Sequence, residues 1–98
     1  MKDMLNPIPA GEILNEEFLI PMQITPYRIA KEINVSATAI GEIIHGKRGI
    51  SSEVALKLGK YLGTGADFWI NLQKRYELDC AKDKLADEIE KIVPFKIA

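Results

Sequence analysis

Cysteine, histidine and tryptophan each occur once in the 98 residues. The lone thiol, Cys80, cannot close an intramolecular disulfide, which points to a reducing compartment. No Cys/His pattern has the spacing of a zinc site. No histidine stands near Cys80 to activate it, so an inert thiol is expected. A glycine-rich phosphate loop is missing as well. Carboxylates are then the only groups left for acid–base work, and the pair Glu16-Glu17 falls on a helix exterior, where such residues serve solubility. An enzyme is not expected, nor is a metal or an organic cofactor. The start Met1-Lys2-Asp3-Met4-Leu5-Asn6-Pro7 lacks the apolar stretch of a secretory signal. With no run long enough to span a bilayer, a cytoplasmic protein without membrane contact is expected. Repeats and Gly/Ser linkers are absent, and the length suits one domain.

No excess of charge of one sign is present either: 13 basic residues face 14 acidic ones. The charge is unevenly placed, however. Residues 25–63 carry Arg28, Lys31, Lys47, Arg48, Lys57 and Lys60 against Glu32, Glu42 and Glu53, a local excess of +3. Residues 1–24 stand at −3 and residues 64–98 at −1. A basic centre between acidic flanks can hold phosphates while keeping non-specific affinity low. A solvated surface would carry the same pattern.

What is present is helical punctuation. Pro9 can open a first helix with an apolar face of Ile13, Leu14, Phe18 and Leu19, and Pro21 is expected to stop it. Thr25-Pro26 is an N-cap followed by proline at the first helical position, starting a second helix through Ile29, Ala30 and Ile33. Ser36 caps a third, which runs to His45 before Gly46 supplies a left-handed terminus. Lys47-Arg48-Gly49-Ile50 forms a loop. Ser51 caps a fourth helix with Val54, Leu58, Tyr61 and Leu62 at helical spacing. Thr64-Gly65-Ala66-Asp67 has the spacing of a capping box for a fifth, which sets Phe68, Trp69, Leu72 and Tyr76 on one face. Phe68 and Trp69 are expected to fill the core between the fourth and fifth helices. Alternating charge around Leu85, Ile89 and Ile92 gives a final amphipathic helix, or a continuation of the fifth, ended by Pro94. The tail Phe95-Lys96-Ile97-Ala98 reads as a strand or as coil. The fold class is all-α. Residues 1–8 form an arm, 9–78 the domain and 79–98 an extension with its tail.

The second and third helices, joined by a turn of three to four residues over 26–45, have helix-turn-helix spacing. At about 100° per residue, Ile40, Ile43 and Ile44 face inward, while Thr38 and Glu42 point away. Ser36, Ala37, Thr38, Ala39 and Gly41 are slim, as a helix entering a major groove about 12 Å wide requires. Helical hairpins that touch no DNA can share this pattern. Lys47 and Arg48 follow the C-terminus of this helix, beside the rim of such a groove, where phosphate contact is expected. Tyr27 and Arg28 sit in the first turn of the second helix, whose N-terminus favours phosphate. Tyr27 could equally pack on Phe18. His45, at a helix end, suits a dipole or phosphate contact rather than a metal.

Three collinear stretches carry a more specific resemblance. They are Gly11-Glu12-Ile13-Leu14-Asn15-Glu16-Glu17-Phe18-Leu19-Ile20-Pro21, then Val35-Ser36 with Ile43-Ile44-His45-Gly46-Lys47-Arg48-Gly49-Ile50-Ser51, and finally Ala55-Leu56-Lys57-Leu58 with Phe68-Trp69-Ile70-Asn71-Leu72-Gln73 and Tyr76-Glu77-Leu78. Over roughly residues 7–79 the chain resembles the HigA-type (VapI-like) antitoxins of the Xre, or lambda-repressor-like, helix-turn-helix family. The resemblance implies a five-helix Cro/C1-type domain, here with an additional C-terminal amphipathic helix. It also implies a homodimer, binding to double-stranded operator DNA and neutralisation of a HigB-type, RelE-like mRNA-cleaving toxin. Ala37, Thr38 and Glu42 fall where such domains read base edges, and Lys47 and Arg48 where the family's loop meets the backbone or a base. Family members often carry larger polar groups where this chain has Ala39 and Gly41. A stand-alone Xre-type regulator, or a helical interaction module without operator binding, is the alternative. The apolar stripe Leu78, Leu85, Ile89, Ile92 and Val93 cannot bury against itself, so it needs its own domain, a second copy or the toxin. The second copy is expected.

Overall fold

The computed structural model describes residues 6–96, and every regular element among them is helical. The first helix, α1, covers residues 10–22 with Pro9 at its N-cap, and its middle, Leu14–Leu19, is widened into a π-helix. In a regular α-helix Leu14 and Leu19 would stand about 140° apart. The wider turn brings both inward, where both are fully buried. It also corrects the expectation for Pro21, which does not end the helix. A proline ring strikes the carbonyl four residues earlier in a regular turn. Here the preceding bonds reach back five residues, as from the Ile20 N–H to the Asn15 carbonyl, and the chain continues to Met22. Gln23 ends it in the left-handed region (φ 58°), with the Ile24 N–H on the Leu19 carbonyl at 2.9 Å.

Side-chain caps set the next three starts. The Thr25 hydroxyl accepts from the Arg28 N–H at 3.0 Å and opens α2, Pro26–Ile33. The Ser36 hydroxyl accepts from Ala39 at 3.0 Å and opens α3, Ala37–Ile44. The Ser51 hydroxyl accepts from Val54 at 3.2 Å and opens α4, Ser52–Leu62. The capping box at Thr64 does not form. The N-cap of α5, Ala66–Glu90, is Gly65 at φ 86°, and the Thr64 hydroxyl donates to the Gly65 carbonyl instead. The cause lies across the helix crossing. Gly59 of α4 lies so close to the Gly65–Ala66 backbone that any Cβ there would overlap it. This contact fixes the start of α5 one residue later than a box would need.

Ile29, Ile33, Ile40, Ile43, Ile50, Ala55, Leu58 and Trp69 join Leu14 and Leu19 in one core. Helix α3 lies on α1 and α2, α4 on α2 and α5, and α1 closes onto α5. Trp69 is fully buried, with its ring 5.1 Å from Phe18 and 4.9 Å from Phe68. Phe68 corrects the expectation of a second core plug. It is 38% exposed, because one step along α5 turns it about 100° from the inward tryptophan.

The chain between Ala66 and Val93 contains neither glycine nor proline, so nothing stops α5 where the domain ends. Of the two alternatives for residues 79–90, the continuation forms. It does not fold back onto the body: Leu78, Leu85, Ile89, Ile92 and Val93 are all exposed, and the molecule measures 56 × 29 × 21 Å. Phe95 and Lys96 are not in a strand. The rest of the expected tail, Ile97 and Ala98, and positions 1–5 of the expected arm lie outside the described residues. No helix among the described residues is long and apolar enough to cross a membrane.

Candidate nucleic-acid interface

Helix α3 buries Ile40 and Ile43 and turns Ala37 and Thr38 to solvent, with Ala39, Gly41 and Glu42 half-buried. Its position depends on Gly11, whose Cα rests against the Ile43 carbonyl so closely that a Cβ would collide with that backbone. Gly41 is different. A Cβ there would meet nothing within 4 Å, so no internal packing requires glycine.

The loop after α3 is tied at both ends. Gly46 takes φ 77°, the Lys47 N–H bonds to the Glu42 carbonyl at 2.8 Å and the Gly46 N–H to the Ile43 carbonyl at 3.1 Å. This paired closure needs a left-handed residue and satisfies the last carbonyls of α3. At the far end, the Ile50 N–H donates to Oε1 of the buried Gln73 on α5, 2.8 Å away. Between the ties, Lys47 and Arg48 are exposed. Lys47 has no ion pair among the described residues. Arg48 is held back to α3 by Glu42, with Nη2 at 2.7 Å and Nε at 2.8 Å from Oε1. Both partners are about half exposed, which keeps the pair weak in stability terms; it turns the guanidinium toward α3.

Tyr27 is 71% exposed, so the alternative of packing on Phe18 does not form; Phe18 meets Phe68 and Trp69 instead. Arg28 pairs along its helix with Glu32 at 3.1 Å. His45 places Nδ1 2.8 Å from the Gly41 carbonyl at the end of α3. An open groove of about 390 Å³ is lined by Asn34, Ser36, Ala39, Arg48, Ser51 and Glu53 among others. The capped starts of α3 and α4 thus share one concave surface with Arg48. Helix N-termini and a guanidinium are what a phosphate backbone bonds to. Cys80 lies elsewhere, half-buried on α5. Its hydrogen bond to Tyr76 raises the phenol above its ordinary 10.0.

The Helix-turn-helix family model matches residues 17–69. Virulence-associated protein I of Dichelobacter nodosus is 41% identical over 81 residues, 83% of this chain and 75% of that protein. Antitoxin HigA-1 of Vibrio cholerae is 30% identical over 97 residues, 99% of this chain and 91% of that one. The chain belongs to the HigA-type helix-turn-helix antitoxin family. Pseudomonas aeruginosa antitoxin HigA, solved with the higBA promoter, superposes with a TM-score of 0.88 at 40% identity, covering 93% of this chain and all of that one. The fold is accordingly the lambda-repressor-like one, and the HigA-type family is one of DNA-binding regulators rather than enzymes.

Three features of this HigA-type chain were not legible from its residues alone. The Glu42–Arg48 pair spans six positions across a helix end, outside any regular spacing. Gly11 and Gln73 both stand in the stretches that carry the family resemblance, but only the packing assigns them work. A glutamine on the inward face of an amphipathic helix was the available signal for Gln73.

Proposed function

We propose that the protein is a sequence-specific antitoxin and autorepressor that binds its own operator as a dimer and neutralises an mRNA-cleaving toxin. The observation that carries this reading is the slim outer face of α3, set beside the doubly tied Lys47–Arg48 loop and two capped helix starts. The promoter complex of the Pseudomonas aeruginosa relative supports it. Ala37, Thr38 and Glu42 face base edges, with Ser36 and Ala39 at the flank. Tyr27, Arg28, His45, Lys47 and Arg48 meet the phosphates. The two copies of α3 stand about 34–36 Å apart, one helical turn of DNA.

The dimer is built by the exposed stripe Leu78, Leu85, Ile89, Ile92 and Val93, which an operator-binding pair needs covered. Truncation after Cys80, followed by sedimentation, tests this interface. A truncated chain that stays dimeric at low micromolar concentration removes the stripe from it. Gel shifts with the gene's own promoter test the DNA reading. Wild-type protein shifts the fragment at low salt, Lys47→Ala/Arg48→Ala binds every sequence more weakly with a flatter salt dependence, and a bulky residue at Thr38 changes sequence preference. Failure of the wild-type protein to shift the fragment refutes the reading.

A further inference from the structure

The Lys47–Arg48 loop owes its far anchor to a residue 23 positions beyond it. Among the described residues Gln73 is the one polar residue that is buried, and it is bonded at both ends of its amide. Oε1 accepts from the Ile50 N–H at 2.8 Å, and Nε2 donates to Glu77 Oε2 at 2.9 Å. The Glu77 carboxylate is held below its ordinary pKa by that bond first and by Lys74 beside it. A charged acceptor on Nε2 fixes which way round the amide stands, because only Oε1 is then left to receive the loop. Gly49 completes the fit: a Cβ there would come within 2.7 Å of Gln73 Nε2. The loop backbone can therefore lie directly on the amide.

We infer that Gln73, oriented by Glu77, is the positioning residue that presents Lys47 and Arg48 to DNA. This rests on the DNA-binding reading above, and it makes the first turns of α5 part of the interface although no residue there faces the groove. Lys47 and Arg48 lie between two fixed points. On one side is the hydrogen-bonded closure of α3, on the other the Ile50 N–H on Gln73. Without the second point the two cations keep their charge but lose their place. The loss is then read in phosphate contacts rather than in sequence preference.

Operator binding is measured against salt for wild type, Gln73→Leu, Lys47→Ala/Arg48→Ala and the triple variant, with melting curves alongside. Gln73→Leu lowers the salt slope of the operator-bound dimer by about two to four, the share of two basic residues in each of two copies, and leaves the preference among operator variants unchanged. In the Lys47→Ala/Arg48→Ala background it lowers affinity no further. An unchanged slope, or an equal loss of affinity in that background, overturns the inference. Should Gln73→Leu fail to fold, the exchange pair carries the same test. Gln73→Glu sets two carboxylates side by side and loses slope. Gln73→Glu/Glu77→Gln rebuilds the chain with donor and acceptor reversed and regains it. A double variant that stays at the slope of the single one overturns the inference. In every arm wild-type protein must shift the fragment first, so a failure of the DNA-binding reading is seen separately.

Discussion

Gly41→Ala separates folding from DNA binding in a single methyl group. Gly41 is the fifth of eight residues in α3, its backbone is not left-handed, and a Cβ would meet nothing within 4 Å. The substitution therefore carries no steric penalty and recovers the helix propensity that glycine lacks, about 0.8–1.0 kcal/mol. For a domain of this size that corresponds to a rise in Tm of roughly 4–8 °C. Thermal unfolding followed by circular dichroism reads it directly. On operator DNA the same methyl occupies space on the outer side of α3 that the groove wall needs, so affinity drops several-fold in a fluorescence titration. Stability and binding move in opposite directions. A Tm that falls or stays level would refute the packing argument. A higher Tm with unchanged affinity would show that close approach of DNA is not what keeps glycine there.

Gly11→Ala has the opposite sign in stability: its Cβ runs into the Ile43 backbone, α1 is forced away from α3, and a net loss of about 1–3 kcal/mol is expected in chemical unfolding. Trp69→Ala empties a fully buried site and costs roughly 3–5 kcal/mol; an unchanged melt would place the indole in solvent. The Trp69 Nε1–H has no hydrogen-bond partner among the described residues, which makes Trp69→Phe a milder change than area alone suggests, because the cost of burying an unpaired donor disappears with it. Glu77 links stability to pH. Its folded pKa lies below the ordinary 4.5, so its contribution is complete above that value and is lost as pH falls through the folded one. Melts of wild type and Glu77→Gln therefore converge as pH falls through the lowered folded pKa, and a gap that persists in stronger acid counts against the bond to Gln73.

The helix starts were readable because the chemistry of a cap is local. Thr25, Ser36 and Ser51 each bond three residues ahead, as their spacing requires. The same local logic failed at Thr64, where a crossing with α4, far away in sequence, decided where α5 begins. It failed again at Pro21, whose expected stop assumed a regular α-helix upstream. Two of the left-handed helix ends, Gln23 and Asn34, carry residues that favour that geometry less than glycine does, whereas Gly46 and Gly63 announced themselves. At the interface the sequence placed Lys47 and Arg48 beside α3 but left their orientation open. Orientation comes from Glu42 and, through Ile50, from Gln73. Non-local hydrogen bonds of this kind have no periodicity to betray them.

The unbroken α5 makes the distance between core and tip a mechanical constant. Its 25 residues give a rod of about 37 Å, rooted by Trp69 beneath α1 and lacking any glycine or proline at which to flex. Whatever grips the tip therefore also steers the root. A few degrees of rotation imposed at Ile89 swings the domain through an arc measured in ångströms, with α3 at the moving end. In the dimer proposed above, changes at the far end of the rod thus reset which operator half-site spacing the pair can straddle.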